Sequence, residues 1–299
     1  MTNLKENVPW WVKIGAKIIL ARLPIPYRWW KRVGLFEHGD MNQSQQAWET
    51  FLEHARTADV VDWESAKIRF KIRGDEYTVL EIGPGDSLFT AIIAKSLGAS
   101  RTWLVDVGSF ATMALQPYAE FVDYLRSQGL SAPLMVHSES LIDLLKECRA
   151  EFLGGGVSSL AHLPSKSVDY CFSNAVLEHI PKADFAQFTL DLYRIMKPEG
   201  VSVHRIDLRD HLESGLNNLR FTEAIWEGPL FRKSGFYTNR MRFSELVELF
   251  GRAEFACRFP RVLRWDVLPI PRAKLDEAFR YLADDDLLIK GFDVVLTRR

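Results

Sequence analysis

The chain of 299 residues has only three cysteines, Cys148, Cys171 and Cys257. Cysteines so few and so scattered build neither a disulfide framework nor a zinc site, and they point to a reducing, cytoplasmic compartment. No apolar run reaches the roughly 18–20 residues needed to span a bilayer. Near the N-terminus Lys13 and Lys17 interrupt the apolar stretch and no small-residue cleavage site follows, so no secretory signal is expected. Charge of one sign is also lacking. Lys plus Arg number 38 and Asp plus Glu 39, a formal net charge of −1, which gives no ground for a bulk nucleic-acid binder. There is no internal repeat, and the nearest thing to a linker is Gly154-Gly155-Gly156. What is present is 47% hydrophobic and 26% charged residues, enough for one large folded domain or two modest ones.

The charge balance hides an uneven distribution. Residues 1–36 carry a net +6 and the remainder −7, and four of the nine tryptophans (Trp10, Trp11, Trp29, Trp30) sit in the basic segment. Residues 10–23 are expected to form a helix with an apolar stripe through Trp10, Ile14, Ile18 and Ala21, stopped by Pro24 and Pro26. Tryptophan beside Lys and Arg suits an interfacial membrane contact through residues 10–32, peripheral on the inner face. A helix packed over the protein's own core or at a subunit interface is the competing expectation. Nucleic acid ranks last, because the body is acidic. We divide the chain into a basic, Trp-rich helical extension, 1–60, and a main domain, 61–299, with an insertion at about 209–245. The oligomeric state is left open.

From residue 77 short apolar runs alternate with helical patterns. Strands are expected at Thr78–Ile82, Thr102–Val105, Leu134–Val136, Val168–Phe172 and Val201–Leu208. Helices are expected at about 88–97, closed by Gly98, at Gln116–Gln128, ended by Gly129, and at about 183–196, where Phe185, Phe188, Leu192 and Ile195 share a face. Lys197-Pro198-Glu199-Gly200 reads as a turn. A helix from Ser244 toward Phe250, a strand near 254–259, a helix near 273–281 and a strand Phe292–Leu296 complete the chain. Alternation of this kind specifies an α/β fold, a doubly wound and mostly parallel seven-stranded sheet of Rossmann-like type, with the last strands forming an antiparallel edge.

The chemistry is concentrated in Val79-Leu80-Glu81-Ile82-Gly83-Pro84-Gly85-Asp86-Ser87. It leaves a strand, turns on two glycines and enters a helix, where a doubly wound fold holds a nucleotide-like ligand. A dinucleotide fingerprint would carry a third glycine where Leu88 stands. Glu81 and Asp86 would repel a pyrophosphate, so NAD and FAD are disfavoured. The same carboxylates suit S-adenosylmethionine, which has a sulfonium, an ammonium and no phosphate. Asp106, ending the next strand 21 residues after Gly85, is placed to accept both ribose hydroxyls. The bland alternative is that Glu81 and Asp106 only cap strand ends.

Glu81-Ile82-Gly83-Pro84-Gly85 resembles the first motif of the class I S-adenosylmethionine-dependent methyltransferases, and Leu104-Val105-Asp106 the second. Ser167 to Ile180 resembles the fourth-strand segment of their small-molecule branch, and Met196-Lys197-Pro198-Glu199-Gly200 the turn before the fifth strand, where Gly-Gly is commoner than Glu-Gly. The resemblance covers about 77–208 well and the rest loosely. It implies that Glu81, Gly83 and Gly85 hold the methionine end, Asp106 the ribose, and Ser173 and Asn174 the sulfonium side. The family's frequent Asp after the third strand has no counterpart near Ser158-Ser159-Leu160. The adenine contact is then backbone and apolar, with Leu160 as the candidate.

Methyl transfer is a direct displacement in which the protein aligns nucleophile, methyl and sulfur, so no metal is required. A hydroxyl nucleophile gains from a general base, and a histidine suits that role. His179 and His211 are the catalytic candidates, both just past strand ends. His204, inside a strand, is the weaker one. The resemblance implies that the segment with Trp226, Phe231, Phe236, Tyr237, Asn239 and Arg240 builds the acceptor pocket, suited to a sugar-like or anionic group; a lid packed on the core is the blander expectation, and the two are compatible. The resulting expectation is methyl transfer to a small or lipid-linked acceptor, a saccharide or cell-envelope intermediate, at oxygen. The rivals are a non-catalytic cofactor-binding scaffold and an aminopropyl-type transferase on the same fold.

Overall fold

The computed structural model describes residues 11, 12, 14, 15, 42–62, 68–71, 77–133 and 138–299. Two short strands, β1 (Val61–Asp62) and β2 (Arg69–Phe70), pair antiparallel beside the main sheet. The main sheet contains β3 (Thr78–Ile82), β4 (Arg101–Val105), β5 (Ala150–Leu153), β6 (Val168–Asn174), β7 (Met196–Asp207), β8 (Phe255–Arg264) and β9 (Ile289–Arg298). Its order is β5-β4-β3-β6-β7-β9-β8. The pairs from β5 to β7 are parallel, while β9 runs antiparallel to both β7 and β8. This is the expected doubly wound sheet with its antiparallel edge.

The order explains where a ligand belongs. The chain runs outward through β3, β4 and β5, then crosses back to add β6 and β7 on the other side of β3. The strand order therefore reverses between β3 and β6, and the carboxyl ends of these two strands flank the switch-point crevice. Every residue of β3 is buried, as a central parallel strand covered on both faces requires.

One face of the sheet is covered by the helices Ser44–Ala58, Phe89–Ser96 and Gln116–Ser127. Their Trp48, Phe51, Ile92, Phe121 and Leu125 join Val79, Tyr170 and Phe172 of the strands. Helix Ser44–Ala58 thus completes the core on this face of the sheet, although it lies inside the 1–60 segment. The other face is covered by helices Lys182–Ile195 and Phe243–Arg252. Phe185, Phe188, Leu192 and Phe250 pack there on Leu80, Cys171 and Val294.

Three expectations need correction. The third strand of the parallel set is Ala150–Leu153, paired with β4. Leu134–Val136, the stretch expected there, lies outside the described residues. An edge strand with half-exposed residues shows little of the apolar pattern by which the buried strands are recognised. Lys197–Gly200 belongs to β7, where the pairing with β6 shifts register between Val168 and Tyr170. The helix expected near 273–281 is two short turns, Arg272–Lys274 and Glu277–Arg280.

Most of residues 10–32 lies outside the described residues. Of the remainder, Ile14 is buried against Leu212, Trp226, Phe231, Phe236 and Tyr237, while Trp11 is 62% exposed. No helix among the described residues is long and apolar enough to cross a membrane.

Candidate functional site

The first half of the site is the turn after β3. Gly83 and Gly85 both have left-handed backbones, φ +75° and +65°. A Cβ on Gly83 would collide with the Val176 side chain, in the loop after β6. Only glycine combines that conformation with so close an approach. The Gly83 N–H donates to the Val105 carbonyl at 2.7 Å, tying the turn to the end of β4. There the buried Asp106 carboxylate accepts the Gly85 N–H at 3.0 Å and the Val107 N–H at 2.7 Å. Asp106 is fixed by the loop it supports, and a carboxylate there is an acceptor for hydroxyls.

Glu81 is fully buried one residue before the end of β3. Burial pushes its carboxyl pKa up to about 8. A hydrogen bond with Thr90 opposes the rise and the Asp106 charge adds to it. Such a group resists ionisation until a cation sits beside it.

Ser173 and Asn174 end β6 and point to opposite faces, as neighbours on a strand must. The Ser173 hydroxyl bonds His204 Nδ1 at 2.8 Å, and Ser202 bonds His204 Nε2 at 2.6 Å. Its carbonyl lies 3.2 Å from His54 Nε2, while His54 Nδ1 donates to the Thr50 carbonyl at 2.8 Å. All four side chains are buried, so Ser173 belongs to an internal polar chain. Burial drives the His204 pKa down to about 3, with His54 adding to the fall. His204 is therefore neutral at physiological pH and shut away from any acceptor. Asn174 differs, since its Oδ1 is buried with no hydrogen-bond partner among the described residues.

Leu160 is fully buried in the core with Leu80, Ile82 and Val105, and its carbonyl accepts Arg194 Nη2 at 2.7 Å. Its side chain serves packing. The apolar group left open beside Asp106 is Val107, 74% exposed and packed against Gly156. Sequence reasoning passed over it because a single Val after a strand carries no pattern.

The second half of the site joins two separated segments. A short 3-10 turn, Leu177–His179, follows β6 and carries Glu178 and His179. Asn239 clamps it. Its side-chain amide donates to the carbonyls of Leu177 and Ile180 at 2.8 and 2.9 Å, and its N–H donates to the Glu178 carbonyl at 2.7 Å. The loop after β7 carries His211. Buried Asp210 organises that loop by accepting the N–H groups of Leu212, Glu213 and Asn217 at 3.0, 2.7 and 2.6 Å. The His179 and His211 rings lie 4.8 Å apart, edge to face. A ligand atom from each of Glu178, His179 and His211 lies within 4.8 Å of the others. The two catalytic candidates thus meet, and the buried Glu178 joins them. Neither carboxylate oxygen of Glu178 has a hydrogen-bond partner of good geometry among the described residues. Burial holds its carboxyl well above the usual range. Asp207 raises it further, and backbone N–H groups and Arg209 offset this only in part.

The aromatic insertion is packed, as the lid reading expected. Trp226, Phe231, Phe236 and Tyr237 form their own buried cluster. Arg240 is buried, donating to the Phe221 carbonyl at 2.6 Å and to Glu223 at 2.7 Å, with its guanidinium over Trp226 and Phe279. Its donors face inward, so it is not placed to take an anionic acceptor.

A switch-point crevice with a two-glycine turn, an acid at the next strand end and no third glycine defines a class of fold, the Rossmann-like methyltransferases. Residues 80–204 match the family model for a methyltransferase domain. The domain is that of a class I S-adenosylmethionine-dependent methyltransferase; the protein is an enzyme, and S-adenosylmethionine is its cofactor. No curated protein matches the chain.

Solved structures resemble it loosely. An S-adenosylmethionine-dependent methyltransferase from Methanosarcina mazei is 16% identical, with TM-score 0.44, 76% of this chain and 94% of that one covered. A Haloferax volcanii methyltransferase in complex with the Trm112 activator is 15% identical, TM-score 0.43, with 85% and 92% covered. A Haemonchus contortus phosphoethanolamine N-methyltransferase in complex with phosphomonomethylethanolamine and S-adenosylhomocysteine is 13% identical, TM-score 0.44, with 84% and 52% covered.

Proposed function

We propose that the enzyme transfers the methyl group of S-adenosylmethionine to a hydroxyl oxygen of a small or lipid-linked acceptor, such as a saccharide or another cell-envelope intermediate. The carrying observation is the meeting of His179 and His211 beside Glu178 at the carboxyl edge of β6 and β7. In this reading Gly83 and Gly85 let the methionine end approach the backbone, and Glu81 faces its ammonium. Asp106 takes the ribose hydroxyls, and the unpartnered Asn174 Oδ1 faces the sulfonium side. Adenine lies against Val107 and the 3-10 segment Gly156–His162. Ser173 supports this edge from the interior.

S-adenosylmethionine supplies an activated methyl on a good leaving group. The protein aligns the acceptor and removes its proton. The His179 Nδ1–H donates to the Tyr237 carbonyl at 2.8 Å, which leaves Nε2 as the basic nitrogen. The test is transfer of labelled methyl from S-adenosylmethionine into cell-extract fractions. Label in a hydroxyl-bearing compound, lost in His179→Ala and His211→Ala, is expected. Label on nitrogen or carbon, or label unchanged in both variants, would overturn the reading.

A lipid-linked acceptor fits a membrane-surface contact through residues 10–32. Ile14 anchors beside the insertion while Trp11 faces outward. Sedimentation with anionic liposomes is expected to fall when Lys13→Glu, Lys17→Glu, Lys31→Glu and Arg32→Glu are combined. Unchanged pelleting would discard the contact.

A further inference from the structure

We infer that Glu178, His179 and His211 form a binding site for one divalent transition-metal ion, placed to hold the acceptor oxygen. The inference rests on the reading above of methyl transfer to an acceptor oxygen and deepens it, with His179 Nε2 now holding the ion instead of taking the acceptor's proton.

The geometry is that of a ligand set. Two imidazoles and one carboxylate come from two segments 32 residues apart, with candidate ligand atoms within 4.8 Å of one another. A first-row ion holding nitrogen and oxygen at about 2.0–2.2 Å spaces neighbouring ligand atoms by about 3–4 Å, so rotations of about an ångström close the set. The second observation is independent of that spacing. Glu178 is 2% exposed, and neither of its oxygens has a hydrogen-bond partner of good geometry among the described residues, although the backbone N–H groups of Glu178 and Asp207 lie close. A buried carboxylate so poorly hydrogen-bonded is costly, and a cation between it and two imidazoles offsets the cost.

The surroundings orient the ligands. A metal-bound histidine commonly donates its other ring N–H to a carbonyl or carboxylate. His179 Nδ1 does this toward Tyr237, leaving Nε2 for the ion. Asn239 holds the turn of Glu178 and His179 through three hydrogen bonds. Asp210 holds the loop of His211.

Two nitrogens and one oxygen suit a borderline ion such as Mn²⁺, Fe²⁺, Co²⁺ or Zn²⁺ better than Ca²⁺. Three protein ligands leave positions for an acceptor hydroxyl, whose pKa the ion lowers. The hydroxyl proton leaves to solvent, and an oxygen lone pair forms the C–O bond to the methyl carbon. The C–S bond breaks and its electrons stay on sulfur, giving S-adenosylhomocysteine. The histidines then promote deprotonation by holding the ion.

The experiment is calorimetric titration of EDTA-treated, dialysed protein with MnCl₂, with CaCl₂ as the hard-ion control and S-adenosylhomocysteine titrated separately. One Mn²⁺ per chain is expected, bound more tightly than Ca²⁺, with affinity falling at least about tenfold in both His211→Ala and Glu178→Gln. Circular dichroism confirms that each variant is folded. No saturable Mn²⁺ binding by the wild type, or equal binding by folded His211→Ala, overturns the site. If S-adenosylhomocysteine still binds in that case, the metal site alone fails. If it does not bind either, the reading of the cofactor edge fails as well.

Discussion

Two pairs of histidines lie near the carboxyl half of the same sheet and differ in every respect that matters for chemistry. His54 and His204 are buried, and their ring nitrogens face Thr50, Ser173 and Ser202. His179 and His211 lie in loops past the strand ends, beside the buried carboxyl of Glu178, which has no hydrogen-bond partner of good geometry among the described residues. The first pair closes a polar network inside the protein and holds strands together. The second lies on loops beside the carboxyl ends of the strands, where the proposed acceptor would bind. Residue type cannot separate the two roles; what surrounds the ring does.

The largest effect expected from this contrast is acid sensitivity of the buried pair. His204 has a folded pKa of about 3 against an ordinary value of 6.5. Between these values the unfolded chain binds a proton that the folded chain refuses, so stability falls as pH drops from about 6.5 toward 3. The loss attributable to this group is about 5 kcal/mol at most. Urea unfolding across that range should give a steep decline in the wild type and a flatter one in His204→Gln. Equal slopes would show that His204 is not held neutral.

Next in size is the mutational split. His204→Ala leaves two buried hydroxyls without a partner and is expected to cost about 2–4 kcal/mol. His211→Ala, on a loop, should cost less than about 1 kcal/mol while removing methyl transfer. The reverse ordering in urea midpoints would invert the assignment of the two pairs.

The cofactor edge and the acceptor edge can be separated in the same way. Gly83→Ala meets both a left-handed backbone and Val176, and should weaken S-adenosylhomocysteine binding by about 1–3 kcal/mol. Asn239→Ala removes two side-chain hydrogen bonds from the turn bearing Glu178 and His179. It should cost about 1–2 kcal/mol of stability and impair methyl transfer, while cofactor affinity holds. Calorimetry and a transfer assay distinguish them, and loss of cofactor affinity in Asn239→Ala would merge the two edges.

The smallest effect is a proton count. Glu81 has a raised pKa of about 8, so it is mostly protonated at pH 7. A ligand ammonium beside it pulls that value down, and binding then releases a fraction of a proton. Titrations of S-adenosylhomocysteine at pH 7 in two buffers of different ionisation heat should show the release. Glu81→Gln should abolish it, and identical heats in the wild type would place the ammonium elsewhere.

The contrast also explains what could be read from sequence. The turn Gly83-Pro84-Gly85, Asp106 and most strands were legible because each signal is local: glycines in a strand-to-helix turn, an acid at a strand end, apolar runs. β5 was missed because an edge strand leaves its residues half exposed and weakens the pattern. Ser173 and Leu160 were assigned to the cofactor by position in a motif. Ser173 faces inward by strand alternation, and Leu160 packs into the core. Arg240 and the aromatics of the insertion looked like a pocket because composition does not reveal which way a side chain faces. The joining of Glu178 and His179 with His211 depends on β6 and β7 being neighbours, a tertiary fact that spacing along the chain does not encode.

The central claim is that the edge built by Gly83, Gly85 and Asp106 holds S-adenosylmethionine. Its most direct test is calorimetric titration of S-adenosylhomocysteine into the wild-type protein and Asp106→Ala, with NAD as control. The account predicts saturable one-to-one binding by the wild type, at least about tenfold weaker binding by Asp106→Ala through loss of the ribose hydrogen bonds, and none of NAD. Absence of S-adenosylhomocysteine binding by folded wild-type protein, or unchanged affinity in Asp106→Ala, would contradict it.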